Sequence, residues 1–313
     1  MHARMPKNFV LEERLERYAD AIEVNAPAYR GSWAEACWPL TQAANGATEQ
    51  ARAIGCSTSA DPGAALTCPL ANGMHHDRFS SVHLDLGCGK GSYIAAMAQA
   101  HPDTLFLGMD SEPVCVAYAA QLICELGLHN ALVIPGDAAR LERIFAPGEL
   151  TAISINFPTP HPKRRHARLR VINAAHLAAY QPLMAPGAAL TLRTDSQPLF
   201  SYALPQFRAA GWHVLWTSTD DRTDHPDTPV TEYEQRLAAQ GANVHALCAV
   251  PGAQPVSPQQ LACAEKLPQS LFDYLPDDLF AADYIPHGMS YAIDNIRNRR
   301  KHQAERNASK HRA

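Results

Sequence analysis

Asp85-Leu86-Gly87-Cys88-Gly89-Lys90-Gly91 decides the fold. Before it, Val82–Leu86 reads as a short buried strand; after it, Tyr93–Ala100 reads as a helix. A glycine-rich turn leaving a strand and opening a helix is the context in which an α/β sheet receives a nucleotide-like ligand. Glycine turns tightly and lets a ligand approach without a Cβ in the way. Working outward, Leu105–Met109 is a second strand and Pro113–Leu126 a helix. Ala131–Ile134 is a third strand, Ala139–Phe145 a short helix, Thr151–Ile155 a fourth strand and Asn173–Met184 a helix. Gly187–Arg193, Leu199–Ala210, Trp212–Thr217 and Val244–Val250 continue as strand, helix, strand, strand. Strands alternating with helices predict an α/β fold with a doubly wound, mostly parallel sheet.

The residues at the strand ends narrow the ligand. Asp110 closes the second strand, 21 residues beyond Gly89, where a carboxylate can accept from both hydroxyls of a ribose. Asp137 follows the third strand, within range of an adenine amino group. A dinucleotide site reads GxGxxG; here Gly87, Gly89 and Gly91 give GxGxG, and Ser92 stands where the third glycine would be. Asp85 before the first glycine repels a pyrophosphate and suits a cationic amino-acid group. S-adenosylmethionine, with an ammonium, a sulfonium and no phosphate, fits best. A nicotinamide or flavin nucleotide, or a turn with no ligand, stays open on the loop alone.

After the fourth strand comes Asn156-Phe157-Pro158-Thr159-Pro160-His161-Pro162-Lys163, with three prolines in five positions. Proline fixes φ, so this loop is stiff. A stiff loop beside a methyl donor holds an acceptor in line. Lys163, Arg164, Arg165, Arg168 and Arg170 are five cations in eight residues. On a chain of net charge −4 such a run is either a solvated helix face or a local phosphate-contacting patch. Its position at the ligand edge of the sheet favours phosphate.

This segment resembles the PDPWPK-(K/R)-RH-x-x-R element of the bacterial tRNA (guanine-N7)-methyltransferases. Further likenesses follow in family order. Arg30-Gly31-Ser32-Trp33 is similar to its KGKW element, Arg193-Thr194-Asp195 to its (K/R)TD element, and Thr231-Glu232-Tyr233-Glu234-Gln235-Arg236 to its TEYE-x-R element. The resemblance spans roughly residues 4–250. It implies a Rossmann-like class I S-adenosylmethionine-dependent methyltransferase that acts on tRNA, with the variable-loop guanosine as acceptor. By position it implies cofactor contacts at Asp85, Gly87, Gly89, Asp110 and Asp137. Contacts to the tRNA guanosine fall on Lys163, Asp195, Thr231, Glu232, Tyr233 and Glu234. Guanine's N1–H and N2–H are donors, and the carboxylates of Asp195 and Glu234 are suitable acceptors. The sequence departs from the family where its acid becomes Thr159 and its tryptophan becomes His161. That acid carries the catalytic role in the family. Guanine N7 has a free lone pair, so a missing acid removes charge stabilisation rather than an obligatory base. A tRNA-binding protein of the same fold with weak or no catalysis is the second reading. A small-molecule methyltransferase is a third, disfavoured by the basic run.

The 313 residues, 46% of them hydrophobic, suffice for one large α/β domain with an extension. Residues 7–23 have helical spacing at Val10, Leu11, Leu15 and Tyr18. Residues 41–80 are rich in Ala, Gly, Ser and Thr and read as a flexible insertion in a methyltransferase domain of residues 1–250. Residues 251–313 form an extension with a basic tail. The eight cysteines include no CxxC pair, so no zinc site is expected, and free thiols point to the cytoplasm. No run approaches a membrane span.

Overall fold

The computed structural model describes residues 9–35, 68–69, 75–76, 78–275, 284–286 and 289–310. Nearly all of the expected insertion at 41–80 lies outside the described residues. Within it, Cys68–Pro69 pairs antiparallel with His75–His76.

Seven strands build the main sheet: β1 (Ser81–Leu86), β2 (Thr104–Asp110), β3 (Ala131–Pro135), β4 (Leu150–Asn156), β5 (Met184–Thr194), β6 (Trp212–Ser218) and β7 (His245–Pro251). Their order is β3-β2-β1-β4-β5-β7-β6. The first five are parallel neighbours, while β7 runs antiparallel to both β5 and β6. The doubly wound, mostly parallel sheet expected from the sequence is therefore present. The chain winds one way from β1 to β3 and the other way from β4 onward. This reversal opens a crevice beyond the carboxyl ends of β1 and β4.

A parallel sheet needs both faces covered. The period-two alternation of its strands divides the core accordingly. Leu105, Leu107 and Met109 of β2 join Leu132 and Ile134 of β3 in one buried cluster, while Phe106, Ala131 and Val133 belong to a second. Helices α2 (Ser92–Ala100) and α3 (Pro113–Glu125) close the second cluster, with Ala21 and Ile22 from the chain's start. Helices α4 (Ala174–Tyr180) and α5 (Gln197–Ala209) close the first. The amino-terminal helix α1 spans only Leu11–Arg17, shorter than the 7–23 expected. A 3₁₀ turn follows, and Ile22 bridges to Val133 beside β3.

Arg30-Gly31-Ser32-Trp33 is a structural anchor. Trp33 is fully buried, its indole N–H donates to the Ile144 carbonyl (3.0 Å), and the Gly31 and Trp33 N–H groups grip the two oxygens of Glu149, each at 2.9 Å.

Beyond β7 the chain returns to the domain. The short helix α6 (Asp221–Asp224) and α7 (Glu232–Ala238) lie between β6 and β7; α8 (Pro258–Glu265) and α9 (Ser290–Lys310) come after. Ala264, Leu271, Met289 and Ile293 are buried in the same core cluster as the β-strands. Proline-rich, aperiodic sequence after Val250 thus still packs, through isolated apolar side chains. Among the described residues no helix is long and apolar enough to cross a membrane.

Candidate active site

The carboxyl ends of β1, β2 and β3 bring the cofactor-side residues together. Asp85 near the end of β1 is 1% exposed. Its Oδ1 accepts from the Asn156 side-chain amide at 3.0 Å, whereas Oδ2 is buried with no hydrogen-bond partner. Burial pushes its pKa up to about 7; the Asn156 hydrogen bond pulls it down and the nearby Asp110 charge raises it. A buried carboxylate oxygen without a donor is costly, so one in a crevice points to a cationic ligand.

Asp110 does a different job. Its Oδ2 accepts the Gly89 N–H and its Oδ1 the Glu112 N–H, both at 2.9 Å. The carboxylate therefore fixes the glycine loop to the end of β2, and each oxygen keeps a second lone pair. The N–H groups of Gly87 and Cys88 add bonds to the Met109 carbonyl at 2.8 and 3.0 Å. Gly87 and Gly89 have φ of 81° and 56°, and a Cβ on either would meet no atom within 4 Å. The open space is the cradle a ligand would fill. Gly91 is different: its Cβ would lie 2.9 Å from Ala119, so this glycine serves the contact between α2 and α3. Asp137 is exposed and caps the 3₁₀ turn at Ala138–Arg143, its Oδ1 accepting the Ala139 N–H at 2.9 Å. Asp85, Gly87, Gly89, Asp110 and Asp137 thus lie on one edge of the sheet. An ammonium, a ribose and an amino-substituted base match this donor and acceptor set, so the residues fit S-adenosylmethionine.

The acceptor side starts where β4 ends. Phe157 and His161 hold φ of 50° and 45°, in the left-handed region that non-glycine residues seldom adopt. Such strain costs on the order of 1–3 kcal/mol per residue and persists where the surroundings enforce it. The Phe157 N–H donates to the Arg193 carbonyl at 2.7 Å. Arg170 enforces the other end. Its guanidinium donates to the carbonyls of Pro160 (3.1 Å), His161 (2.7 Å) and Gln269 (2.8 Å) and lies 4.3 Å from the centre of the Tyr202 ring. Arg170 is only 1% exposed. This corrects the expectation that it contacts phosphate: it is the internal clamp of the loop. Lys163, Arg164, Arg165 and Arg168 remain exposed. Thr159, at the position of the family's acid, is exposed on the loop between the two strained residues.

Beyond β5, Asp195 is 8% exposed and accepts a short hydrogen bond on Oδ2 from the Tyr284 hydroxyl. Thr231 is buried and caps α7 by accepting the Glu234 N–H on its hydroxyl (3.1 Å). Glu232 is exposed. The Tyr233 ring meets Phe157 edge-on at 5.4 Å, and burial together with the Asp195 charge pushes its phenol up to about 12.

Glu234 requires a second correction. Expected as an acceptor for guanine, it is fully buried and ion-paired with Arg193 at 3.0 Å. Arg193 also binds Asp221 at 2.6 Å, and the His225 ring nitrogen meets the other Asp221 oxygen at 2.8 Å. Glu234 thus ties α7 to the end of β5 through Oε1, while its Oε2 is buried with no hydrogen-bond partner. Sequence reasoning gave no role to Asn156, Phe157, Arg193, Asp221 or Tyr284. A polar residue ending an apolar strand is the one signal for Asn156; Tyr284 has none, being 89 residues from the Asp195 it bonds.

Residues 80–247 match a protein family described as "Putative methyltransferase". The tRNA (guanine-N(7)-)-methyltransferase of Limosilactobacillus reuteri (strain DSM 20016) is 33% identical over 182 residues, covering 56% of this chain and 85% of the relative. The protein of the same name from Geobacillus kaustophilus is 33% identical over 171 residues, 54% of this chain and 78% of the relative. That from Lactococcus lactis subsp. cremoris (strain MG1363) is 31% identical over 181 residues, 56% and 83%. With a methyltransferase sheet, a cradle suited to S-adenosylmethionine and relatives covered over most of their length, the chain belongs to the tRNA (guanine-N7)-methyltransferase family.

Proposed function

We propose that this enzyme methylates N7 of a guanosine in tRNA, the variable-loop guanosine by family resemblance. The observation that carries the reading is the meeting of two sets of groups at one sheet edge. Asp85, Asp110 and the open glycines stand on one side, and the clamped loop, Lys163 and Asp195 on the other.

When bound, S-adenosylmethionine supplies an electrophilic methyl carbon on a sulfonium. Asp85 Oδ2 would hold its ammonium, the spare lone pairs of Asp110 its ribose hydroxyls, and Asp137 its adenine amino group. Guanine N7 carries a lone pair and no proton, so the chain needs no general base there. The acceptor-side residues then have two tasks, orientation and charge. Prolines and the Arg170 clamp hold the loop rigid, and rigid placement is worth more than any flexible contact. Asp195 accepts from the guanine edge and orients the base, while positive charge arriving on the ring meets the Thr159 hydroxyl dipole, a group more favourable as that charge develops. Exposed Lys163, Arg164, Arg165 and Arg168 suit the tRNA backbone, whose phosphates provide most of the affinity in such complexes.

Residues 1–250 would form the methyltransferase domain, with the packed part of 251–313 bracing its acceptor side. Cys88, Cys115, Cys124, Cys248 and Cys263 are free thiols, which supports a reducing cytoplasm.

The test is incubation with labelled S-adenosylmethionine and unmodified bulk tRNA, followed by mapping of the methylated base. Label on N7 of guanosine is the expected result. Label elsewhere, or transfer only to small molecules, would refute the proposal.

A further inference from the structure

The family match ends at residue 247, yet a later residue sits on the acceptor side of the site. The Tyr284 hydroxyl donates to Asp195 Oδ2, and burial plus this carboxylate raise the phenol's pKa well above its ordinary value. Among the described residues Asp195 Oδ1 accepts no hydrogen bond.

The segment carrying Tyr284 is fastened on both sides. Pro286 and Met289 are buried, Met289 completely, and the Ser196 hydroxyl next to Asp195 contacts the Met289 sulfur at 3.8 Å. One helical turn later Ile293 is buried as well. Upstream, the Leu271 N–H donates to the Pro162 carbonyl at 3.0 Å, and Arg170 reaches the Gln269 carbonyl. The same extension therefore braces the proline loop and grips Asp195, the two parts of the acceptor side. Tyr284 and Tyr233 are half-buried and both feel the Asp195 charge, so aromatic surface borders the carboxylate.

We infer that Tyr284 is a positioning residue for guanosine. It holds Asp195 in the rotamer that turns Oδ1 toward the base's N1–H and N2–H donors, while its ring borders the space a planar base would occupy. This rests on the reading of Asp195 as a guanosine contact. A free aspartate would have to be ordered when tRNA binds; one already held is pre-organised, and the difference appears in tRNA affinity.

The experiment is steady-state methylation of unmodified tRNA by the full chain, comparing wild type with Tyr284→Phe, Asp195→Asn and the double variant. Phenylalanine keeps the ring at a half-exposed position, and an S-adenosylmethionine KM within about twofold of wild type establishes that the cofactor side is intact. Removing a hydrogen bond to a charged group should lower kcat/KM for tRNA about tenfold in Tyr284→Phe. Most of that decrease should fall on the tRNA KM, as expected for an interaction made equally before and during transfer. In the Asp195→Asn background the same change should cost almost nothing, since residues acting as one unit are non-additive. Additive effects would overturn the inference and leave the role of Asp195 standing. An unchanged tRNA KM in Asp195→Asn would overturn the underlying assignment, and the inference with it. A lower tRNA KM in Tyr284→Phe would identify the tyrosine as a plug that tRNA displaces, which also overturns it.

Discussion

Asp85→Asn should make the protein more stable and less able to bind its methyl donor, and both effects follow from one buried oxygen. Asp85 has an ordinary value of 3.8 and is pushed up to about 7 in the folded chain, chiefly by burial. Between these values the unfolded chain has released the proton while the folded chain retains it. Stability therefore falls as pH rises through this window, by about 1.36 kcal/mol per pH unit, and levels off above about 7. From pH 5 to pH 8 this group alone removes about 3 kcal/mol. Asparagine does not titrate, and its carbonyl can still accept from Asn156. Urea unfolding of both proteins at pH 5, 6, 7 and 8 should show the variant's relative stability growing by about 3 kcal/mol across the series. Parallel stability curves would refute the reasoning. Calorimetry with S-adenosylmethionine supplies the other half. The ammonium favours the ionised acid, so wild-type binding at pH 6 should release close to one proton, measurable as a dependence of the heat on buffer ionisation enthalpy. The variant should release none from this group and bind about 1.5–3 kcal/mol more weakly.

Arg170→Ala should destabilise the fold by about 3 kcal/mol in urea titrations, because it strands three partly buried carbonyls and empties a packed site; Arg170→Lys should rescue little, since an ammonium cannot span the same fork. Lys163→Ala with Arg165→Ala should lower the salt slope of tRNA binding by about 0.7–0.9 for each phosphate that is no longer neutralised, with S-adenosylmethionine affinity unchanged in calorimetry. Thr159→Asp should raise single-turnover methylation of tRNA on the order of tenfold, about 1.4 kcal/mol, by placing a carboxylate where positive charge arrives on guanine. A slower variant with intact tRNA binding would show that the exposed tip of the loop is remote from the reacting base.

The parts of this protein that could be read from its sequence are those whose physics is local. A glycine turn between an apolar strand and a helix, and acids at successive strand ends, placed Asp85, Gly87, Gly89 and Asp110 on one edge, where they lie. Strand boundaries agreed within a residue or so for most strands; β5 begins at Met184 rather than Gly187, since pairing with β4 extends it past the Pro186-Gly187 turn signal. The errors concern charged residues whose partners are distant. Arg170 looks like the last member of a basic run, but apolar Val171 and Ile172 follow it into the core, and its acceptors at 160, 161 and 269 come from folding. Glu234 stands beside exposed Glu232 in sequence, yet the turn of α7 directs it inward to Arg193. Neither the left-handed backbone at Phe157 and His161 nor the Tyr284 contact has a local signature, because each is imposed by packing.

The order in which the groups appear along the chain has its own consequence. The residues assigned to the methyl donor lie between 85 and 137, at or just beyond the carboxyl ends of three consecutive parallel strands, whereas those assigned to the acceptor extend from 157 to 284. Synthesis runs in the same direction, and N-terminal units tend to fold first. A ribosome-bound chain thus carries the donor carboxylates long before Tyr284 can reach Asp195. Proteolysis after β7 would likewise remove Tyr284 from the finished protein and leave Asp195 without its brace.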